Sequence, residues 1–275
     1  MFRILLVVVM FFLSPLLWAQ GCVISYAYAI DDAAMQGVHA QEERPVMSVF
    51  KMHLAVAVLQ KMQREGTSLD TKLAVPQEDW DLETWSPLRA KYRGQAVSLS
   101  LRELLSSSVS LSDNITTDVL IDYLGGMPAL QEAMAGRAVL QVNEAEMTAD
   151  IENCRRNLAT PASVVDVLRD LRAGKLLNAE YQDFLGDLLI ATNTGANKIR
   201  ALLPPGTIVG NKTGSSGRDA KGLKIADNDA GFIILPDGRT LYLCVFVTDA
   251  SCSDAACAAH IARIALELYQ ASTQQ

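Results

Sequence analysis

The sequence of 275 residues contains few histidines and no block rich in lysine or arginine. Its only histidines are His39, His53 and His260, and no spacing of histidine and cysteine supplies four metal ligands. Cys252, Cys257 and His260 come nearest, but they are better explained as a loop followed by a helix with buried thiols. The 31 acidic residues outnumber the 24 basic ones and give a net charge of −7. These absences argue against a metal site and against a nucleic-acid partner.

The chain also lacks the Gly-x-Ser-x-Gly turn that presents the nucleophile of many Ser-His-Asp hydrolases. His53 lies on a predicted helix face that is already occupied by core residues. No internal repeat or low-complexity linker divides the chain. We therefore expect a single domain over 20–275, and a Ser-His-Asp hydrolase is the weakest candidate function.

The N-terminus has the pattern of an export signal. Arg3 precedes an apolar run at 4–13, which is shorter than a membrane-spanning helix requires. We predict a signal peptide at 1–19, cleaved near Ala19, and a periplasmic mature chain without stable membrane association. An uncleaved anchor and lipidation at Cys22 are the less favoured alternatives.

Five cysteines in an exported chain permit disulfide bonds. Cys252 with Cys257, or Cys22 with Cys252, are conceivable pairs, and the sequence leaves the connectivity open. At least one thiol stays unpaired in a monomer, because the number of cysteines is odd.

Hydrophobic periodicity and turn signals predict a chain of mixed α/β class. The predicted strands are 22–30, 207–210, 231–235 and 241–248. The predicted helices are 48–64, one opened by a capping box at 100–103, 116–124, one beginning at Thr160-Pro161, 180–191 and 255–269. The sheet must then be assembled from both chain ends, with an α/β lobe at about 20–46 and 200–275 and a helical lobe at about 47–199.

A possible nucleophile lies at the start of the first predicted helix. Ser48 and Lys51 are spaced so that both side chains project from one face of that helix. Burial beside a hydroxyl disfavours the charged amine, which makes Lys51 a usable proton acceptor. Ser-x-x-Lys is often only a solvated helix surface, but the apolar neighbours of these two residues favour burial.

Two further motifs follow in the order that acyl transfer requires. Ser112-Asp113-Asn114 supplies a second hydroxyl and an amide, and Lys212-Thr213-Gly214 supplies a fixed cation beside closely approaching backbone. Alone, the first motif would be an ordinary turn or helix cap, and the second a glycine-rich turn with a solvated lysine. Together with Ser48-x-x-Lys51 they predict a serine acyl-transfer site with a receptor for an anionic substrate.

These three motifs resemble those of the class A serine β-lactamases, and the resemblance extends over nearly all of the mature chain. Segments that support it are Trp85 to Leu88, Asp122 to Pro128, Thr192 to Gly195 and Leu235 to Gly238. Asn143 to Met147 looks like the omega loop of the extended-spectrum branch that contains the PER, VEB and Bacteroides-type enzymes. The resemblance implies the serine β-lactamase/transpeptidase-like α/β (α+β) fold, with an antiparallel sheet and an all-helical lobe.

The resemblance also implies a role for each matching residue. Ser48 would attack the lactam carbonyl, Lys51 would activate it, and Ser112 would protonate the departing nitrogen. Glu144 would activate the water that hydrolyses the acyl-enzyme, and either it or Lys51 would be the base for acylation. The residues that would bind the substrate, with the N–H groups of Ser48 and Ser215 holding the oxyanion, are Asn114, Lys212, Thr213, Gly214 and Ser215.

Three departures from the family pattern are visible. Thr148 stands where an asparagine usually helps to hold the hydrolytic water, and Glu146 competes with Glu144 as the base. Asn157 occupies the position of the acid that usually closes the loop, so we expect an altered loop and a roomier pocket. The strand at Cys22 also leaves no room for the family's first helix.

Two alternatives to β-lactam hydrolysis remain. A penicillin-binding transpeptidase or carboxypeptidase shares the three motifs but keeps its acyl-enzyme, and Glu144 argues against it. A non-catalytic β-lactam-binding protein could share the fold. We expect a monomer that acts on small β-lactams and needs no metal or organic cofactor.

Overall fold

The computed structural model describes residues 21–274, which form a five-stranded antiparallel sheet with helices packed on both faces. The order of the strands in the sheet is β2-β1-β9-β8-β7. Their bounds are β1 Val23–Ile30, β2 Gln36–Val38, β7 Val209–Ser215, β8 Lys224–Ile234 and β9 Thr240–Ala250. Because β1 pairs with β9, the two ends of the described chain share one sheet, as the sequence predicted.

Four shorter strands form two small antiparallel pairs. They are β3 Arg44–Pro45 with β6 Leu158–Ala159, and β4 Lys72–Val75 with β5 Val97–Ser100. The pair of β3 with β6 joins the segment ahead of Ser48 to the end of the omega loop. Two separate parts of the candidate site are therefore hydrogen-bonded to each other.

Two predicted strand boundaries were wrong. β8 begins at Lys224 rather than at 231, and β7 continues through Lys212 to Ser215 instead of ending at 210. Polar residues conceal both extensions from pattern analysis. In the folded chain Asn211 and Asp229 are fully buried and paired across the two strands, with Asn211 Nδ2 donating to Asp229 Oδ1 at 2.8 Å. Pairing with a neighbouring strand thus overrides low strand propensity here.

The described residues contain ten α-helices, six of which match the prediction. The bounds of the ten are α1 Phe50–Glu65, α2 Gln77–Trp80, α3 Arg89–Tyr92, α4 Leu101–Ser110, α5 Asn114–Leu124, α6 Met127–Ala133, α7 Glu144–Ala149, α8 Pro161–Arg172, α9 Ala179–Ile190 and α10 Asp254–Thr273. The other four, α2, α3, α6 and α7, were not predicted. The capping box at Ser100 and Glu103 is formed, and Thr160 caps α8 through the N–H of Ser163. Gly66 closes α1 with φ of 67°, a left-handed conformation that glycine adopts without steric cost.

The sheet separates two hydrophobic clusters, because successive residues of a strand face opposite sides. On β9, Val245 belongs to the cluster that includes Ile261 of α10, whereas Phe246 belongs to the cluster that includes Val164 of α8. The second cluster also contains most of α1, whose residues from Phe50 to Leu59 are all buried. The helix that follows Ser48 therefore lies deep in the interior, where a catalytic side chain can be held rigidly.

All five cysteines are free thiols. The Sγ atoms of Cys252 and Cys257 lie 3.4 Å apart. Burial raises the pKa of Cys22 to about 11 and that of Cys257 to about 12, so neither is a reactive thiolate at neutral pH.

Three predictions concern features outside the sheet and its helices. Within residues 21–274 no helix is long and apolar enough to cross a membrane. No group of acidic, histidine or cysteine residues in that described part could hold a metal ion. The predicted signal peptide at 1–19, and any helix ahead of β1, lie outside the described residues.

Candidate active site

Ser48 lies in a single 3₁₀ turn, Met47–Val49, that leads directly into α1. The turn approaches strand β7 so closely that a Cβ atom on Gly214 would come within 2.8 Å of Met47 Cβ and 3.1 Å of the Ser48 nitrogen. Only glycine permits this approach. It brings the backbone N–H of Ser48 next to the end of β7, where Ser215 follows Gly214.

Lys51 lies one helical turn after Ser48 and is completely buried. Its Nζ atom donates to the carbonyl oxygen of Ser112 at 2.8 Å and to Asn114 Oδ1 at 2.6 Å. It also forms an ion pair with Glu144 Oε1 at 3.0 Å. A fully buried ammonium needs such partners, and here they come from each of the other candidate catalytic segments.

Glu144 completes the cluster around the serine. Ser48 Oγ donates to Glu144 Oε1 at 3.5 Å, and the glutamate is only 5% exposed. Glu146, the competing base in the sequence, is instead exposed and accepts the N–H of Asn143 in a capping box at the start of α7. The geometry therefore brings Glu144, and not Glu146, to the candidate nucleophile.

Asp118 fixes the position of Glu144, although sequence analysis did not single it out. Its two carboxylate oxygens accept the backbone N–H groups of Glu144 at 2.9 Å and Ala145 at 2.8 Å. Burial, opposed by the N–H of Glu144, raises the pKa of Asp118 to about 7. The available signal was its place on α5, one turn after Asn114, which puts both residues on the same helix face.

Thr148 contacts Thr84, a further residue that sequence analysis did not identify. Its Oγ1 atom lies 2.8 Å from Thr84 Oγ1, and Asn114 Nδ2 donates to the same Thr84 oxygen at 2.8 Å. The hydroxyl of Thr84 therefore links the omega loop to the Ser112-Asp113-Asn114 motif.

Asn157 closes the omega loop through backbone hydrogen bonds. Its Oδ1 atom accepts the N–H groups of Gln141 at 2.7 Å and Val142 at 3.1 Å, and its Nδ2 donates to the carbonyl of Val142 at 2.8 Å. The N–H of Val46 donates to the Asn157 carbonyl, which joins the loop to the segment before Ser48. An uncharged amide thus closes the loop without an ion pair.

Ser112 lies between the two lysines of the site. It has a left-handed backbone, with φ of 59°. Lys212 Nζ donates to its Oγ at 2.9 Å, and Lys51 Nζ lies 3.5 Å from the same atom. Asp113 supports the motif from behind, because its carboxylate caps α5 and accepts Ser86 Oγ at 2.6 Å.

Lys212 is buried on β7, and its Nζ also donates to the carbonyl of Thr213. Burial, followed by the charge of Lys51, holds its pKa well below the ordinary value for lysine. The hydroxyl of Thr213 contacts that of Thr194 at 2.7 Å, and Ser215 Oγ donates to Asp227 Oδ1 at 2.8 Å. The motif is therefore part of a strand edge and not the glycine-rich turn that the sequence allowed.

One cavity of about 920 Å³ is lined by Ser48, Ser112, Asn114, Glu144, Thr148, Thr213 and Ser215. Lys51 and Lys212 do not line it and reach the site through Ser112. One wall carries the exposed ring of Trp85 with Pro87 and Leu111, and the opposite wall is the end of β7. No histidine lines this cavity, and His53 is buried in the core, where burial lowers its pKa to about 4. The site thus has a serine, a lysine, a glutamate and a second serine, but no Ser-His pair.

Comparison with known proteins identifies the family. The model of the "Beta-lactamase enzyme family" matches residues 16–272. The chain belongs to this family. It is 39% identical over 264 residues to a β-lactamase of Bacteroides uniformis, covering 94% of this chain and 89% of that protein. It is 34% identical to the extended-spectrum β-lactamase PER-1 of Pseudomonas aeruginosa, covering 87% and 79% of the two chains.

A solved structure and a further relative support the same family. A class A β-lactamase of Bacteroides cellulosilyticus matches this β-lactamase with a TM-score of 0.90 and 37% identity, over 94% of this chain and 95% of that chain. Similarity to VEB-1 of Pseudomonas aeruginosa, at 33% identity over 74% of this chain and 70% of that protein, adds a further member of the same branch. The predicted class A resemblance, its branch and the α/β fold are confirmed.

Proposed function

We propose that this β-lactamase opens the amide bond of penicillins and cephalosporins through an acyl-enzyme on Ser48. The observation that carries the proposal is the convergence of Ser48 Oγ, Lys51 Nζ and Glu144 Oε1, with Glu144 3.5 Å from the hydroxyl and 3.0 Å from the ammonium. A serine becomes a useful nucleophile only when an adjacent group accepts its proton. The relatives that are named β-lactamases support the same chemistry.

Acylation forms one bond and breaks another. Ser48 Oγ attacks the lactam carbonyl carbon while its proton passes to the Lys51–Glu144 pair. The C–N bond of the ring then breaks, and Ser112 Oγ gives its proton to the departing nitrogen. The hydrogen bond that Lys212 Nζ donates to Ser112 Oγ, and the contact of that oxygen with Lys51, support a relay that replaces this proton.

The backbone N–H groups of Ser48 and Ser215 form the oxyanion hole in this scheme. They belong to the two segments that the close approach at Gly214 brings together. Loss of one such donor costs roughly 2.7–4 kcal/mol of transition-state stabilisation in enzymes of this type. Lys212, Thr213 and Ser215 face the substrate carboxylate, and Asn114 faces the acylamino side chain.

Deacylation distinguishes a β-lactamase from a penicillin-binding protein. Glu144 removes a proton from a water molecule, whose oxygen attacks the acyl carbonyl, and Ser48 leaves with its hydroxyl restored. Support for this role comes from the two backbone hydrogen bonds by which Asp118 holds the start of α7. A penicillin-binding transpeptidase is the second candidate, but it has no use for a carboxylate held at this position.

The nucleophile is tested by Ser48→Ala, with loss of lactam absorbance as the assay. We expect the rate to fall by at least roughly 10³-fold. Ser106→Ala is the matched control, because Ser106 lies on α4 outside the cavity and donates only to the carbonyl of Arg102. Turnover by Ser48→Ala at the parent rate would disprove the acyl-enzyme on Ser48.

We also propose export, cleavage near Ala19 and a monomeric periplasmic enzyme that confers resistance to β-lactams. The pattern at 1–19 and the family support this proposal. The α/β part, about 20–46 and 200–275, and the helical part, about 47–199, would then fold as one unit around the cavity. Mass spectrometry and light scattering of the periplasmic protein test it, and an intact N-terminus or a stable oligomer would contradict it.

A further inference from the structure

Asp227 is a buried acid in the part of the cavity where the substrate carboxylate is proposed to bind. It lies on β8 directly opposite Ser215 of β7 and is only 3% exposed. Its Oδ1 atom accepts the hydroxyl of Ser215 at 2.8 Å and pairs with Lys198 Nζ at 2.9 Å. Asp227, Lys198 and Ser215 all line the cavity.

Lys198 reaches this place because of a glycine turn. Gly195 has φ of 71°, and a Cβ atom there would come within 2.4 Å of Thr213 Cγ2. The segment therefore packs directly against β7. Lys198 is only 6% exposed, and its Nζ also donates to the carbonyls of Gly214 at 3.3 Å and Asn228 at 3.0 Å.

These contacts use every donor that the two groups possess. An ammonium has three N–H donors, and those of Lys198 are directed to Asp227, Gly214 and Asn228. A serine hydroxyl has one proton, and that of Ser215 is directed to Asp227. The ammonium of Lys198 and the hydroxyl of Ser215 are therefore already hydrogen-bonded when a substrate carboxylate binds. The carboxylate also lies near the negative charge of Asp227.

Other acids along the cavity differ from Asp227 in this respect. Glu144 is paired with Lys51 at the nucleophile. Asp254 lies at the rim with a side chain that is 66% exposed and pairs with Lys224, so solvent screens its charge. Among the described acids that line the cavity, only Asp227 is both buried and bonded to the strand that carries the carboxylate-binding motif.

We propose that Asp227 determines specificity by withholding Lys198 and the Ser215 hydroxyl from the substrate carboxylate. This inference rests on the proposed function, because it assumes that β-lactams bind with their carboxylate at the end of β7. Asp227 then weakens recognition of lactams that carry a free carboxylate and leaves neutral lactams unaffected. A neutral side chain of the same shape would hold both donors less strongly and leave them available to the substrate.

The test compares Asp227→Asn with the parent on a chromogenic cephalosporin and on its methyl ester. Both are measured as kcat/KM in the active enzyme and as Kd in a Ser48→Ala background. We expect the variant to bind and turn over the free acid on the order of tenfold better, since a buried charge opposing the anion is removed. The ester should change by less than about twofold.

Lys198→Met provides the opposite perturbation. It leaves Asp227 without its cation, so the Kd of the free acid should rise and that of the ester should not. Combining Lys198→Met with Asp227→Asn should abolish the gain, because the released ammonium is then absent. Glu180→Gln, on the exposed surface of α9, removes one charge far from the cavity and is the control for net charge.

The outcomes separate the inference from the proposed function. Equal changes for acid and ester, or weaker binding of the acid by Asp227→Asn, would overturn the inference. Absence of Ser48-dependent turnover in the parent would overturn the proposed function, while the Kd values in the Ser48→Ala background would still decide the role of Asp227. If Asp227→Asn does not fold, Asp227→Ser decides the question, because it also removes the charge and should strengthen binding of the acid but not of the ester.

Discussion

Asp118 shows how a residue outside the recognised motifs can determine the position of a catalytic group. It accepts the N–H groups of Glu144 and Ala145, and it is half-buried beneath the omega loop. Sequence patterns identify Glu144 as an acid near the expected position of the catalytic base, but they do not show which residues contact it. The hydrogen bonds of Asp118, and the exposed position of Glu146 in a capping box, could be identified only in the folded structure.

Replacement of Asp118 by alanine should release the start of α7. We expect kcat to fall roughly tenfold to hundredfold, because displacement of a catalytic group by about 1 Å has effects of that size. Asp118→Asn keeps one acceptor and should lose less. Stopped-flow measurement of acylation and deacylation checks this, and an unchanged deacylation rate in Asp118→Ala would contradict it.

The same residue predicts a pH dependence of stability. The pKa of Asp118 is raised from 3.8 to about 7 in the folded protein, so the folded state binds more protons than the unfolded state between these values. Its contribution to the free energy of unfolding is therefore full at low pH and is lost as the pH rises through this window. Urea titrations at pH 5 and pH 7.5 should show a smaller pH effect in Asp118→Asn than in the parent. An identical pH effect in both proteins would contradict this assignment.

At the scale of elements, the omega loop is held by an amide and by charges at its end. Asn157 satisfies the backbone around Val142, and Arg155 pairs with Asp219 at 2.8 Å and Asp249 at 2.7 Å. The sequence predicted an altered closure from the asparagine. The ion pairs of Arg155 could not be predicted, because they join residues far apart in the chain.

Asn157→Ala should leave the backbone N–H groups of Gln141 and of the buried Val142 without their acceptor. Each such loss costs about 1–3 kcal/mol, so we expect the melting temperature to fall by roughly 5–10 °C. The acyl-enzyme should also accumulate, because Glu144 lies in the loop that Asn157 closes. Asn157→Asp keeps an oxygen acceptor for both N–H groups and loses only the Nδ2 donation to the Val142 carbonyl, so it should lose less. Equal losses in the two variants would show that the oxygen does not hold the loop.

Helices were easier to predict than strands at this scale. Capping residues such as Ser100 and Thr160 act within a few residues of chain, so their signals are visible in the sequence. The strand carrying Lys212 is polar, and its burial depends on pairing with the neighbouring strand β8. The strand propensity of a short segment does not show which other strand will pair with it and bury it.

For the whole molecule, the main prediction was that both chain ends build one sheet with helices inserted between them. The pairing of β1 with β9 confirms it. This arrangement brings Ser48, Glu144 and Thr213 from distant parts of the chain to one cavity. The order of the motifs in the sequence predicted which of the recognised residues lie together in the site. Thr84, Lys198 and Asp227 were not predicted, because only tertiary packing brings them to the site.

Time-resolved intact mass of the mature protein mixed with a cephalosporin, alongside Glu144→Gln, shows whether Ser48 forms an acyl-enzyme and whether Glu144 is needed to hydrolyse it. We predict that the parent turns over without a lasting adduct, whereas the variant retains one acyl group on Ser48 because water is no longer activated. A stable adduct on the parent would instead identify a penicillin-binding protein. Rapid deacylation by the variant would contradict the role of Glu144.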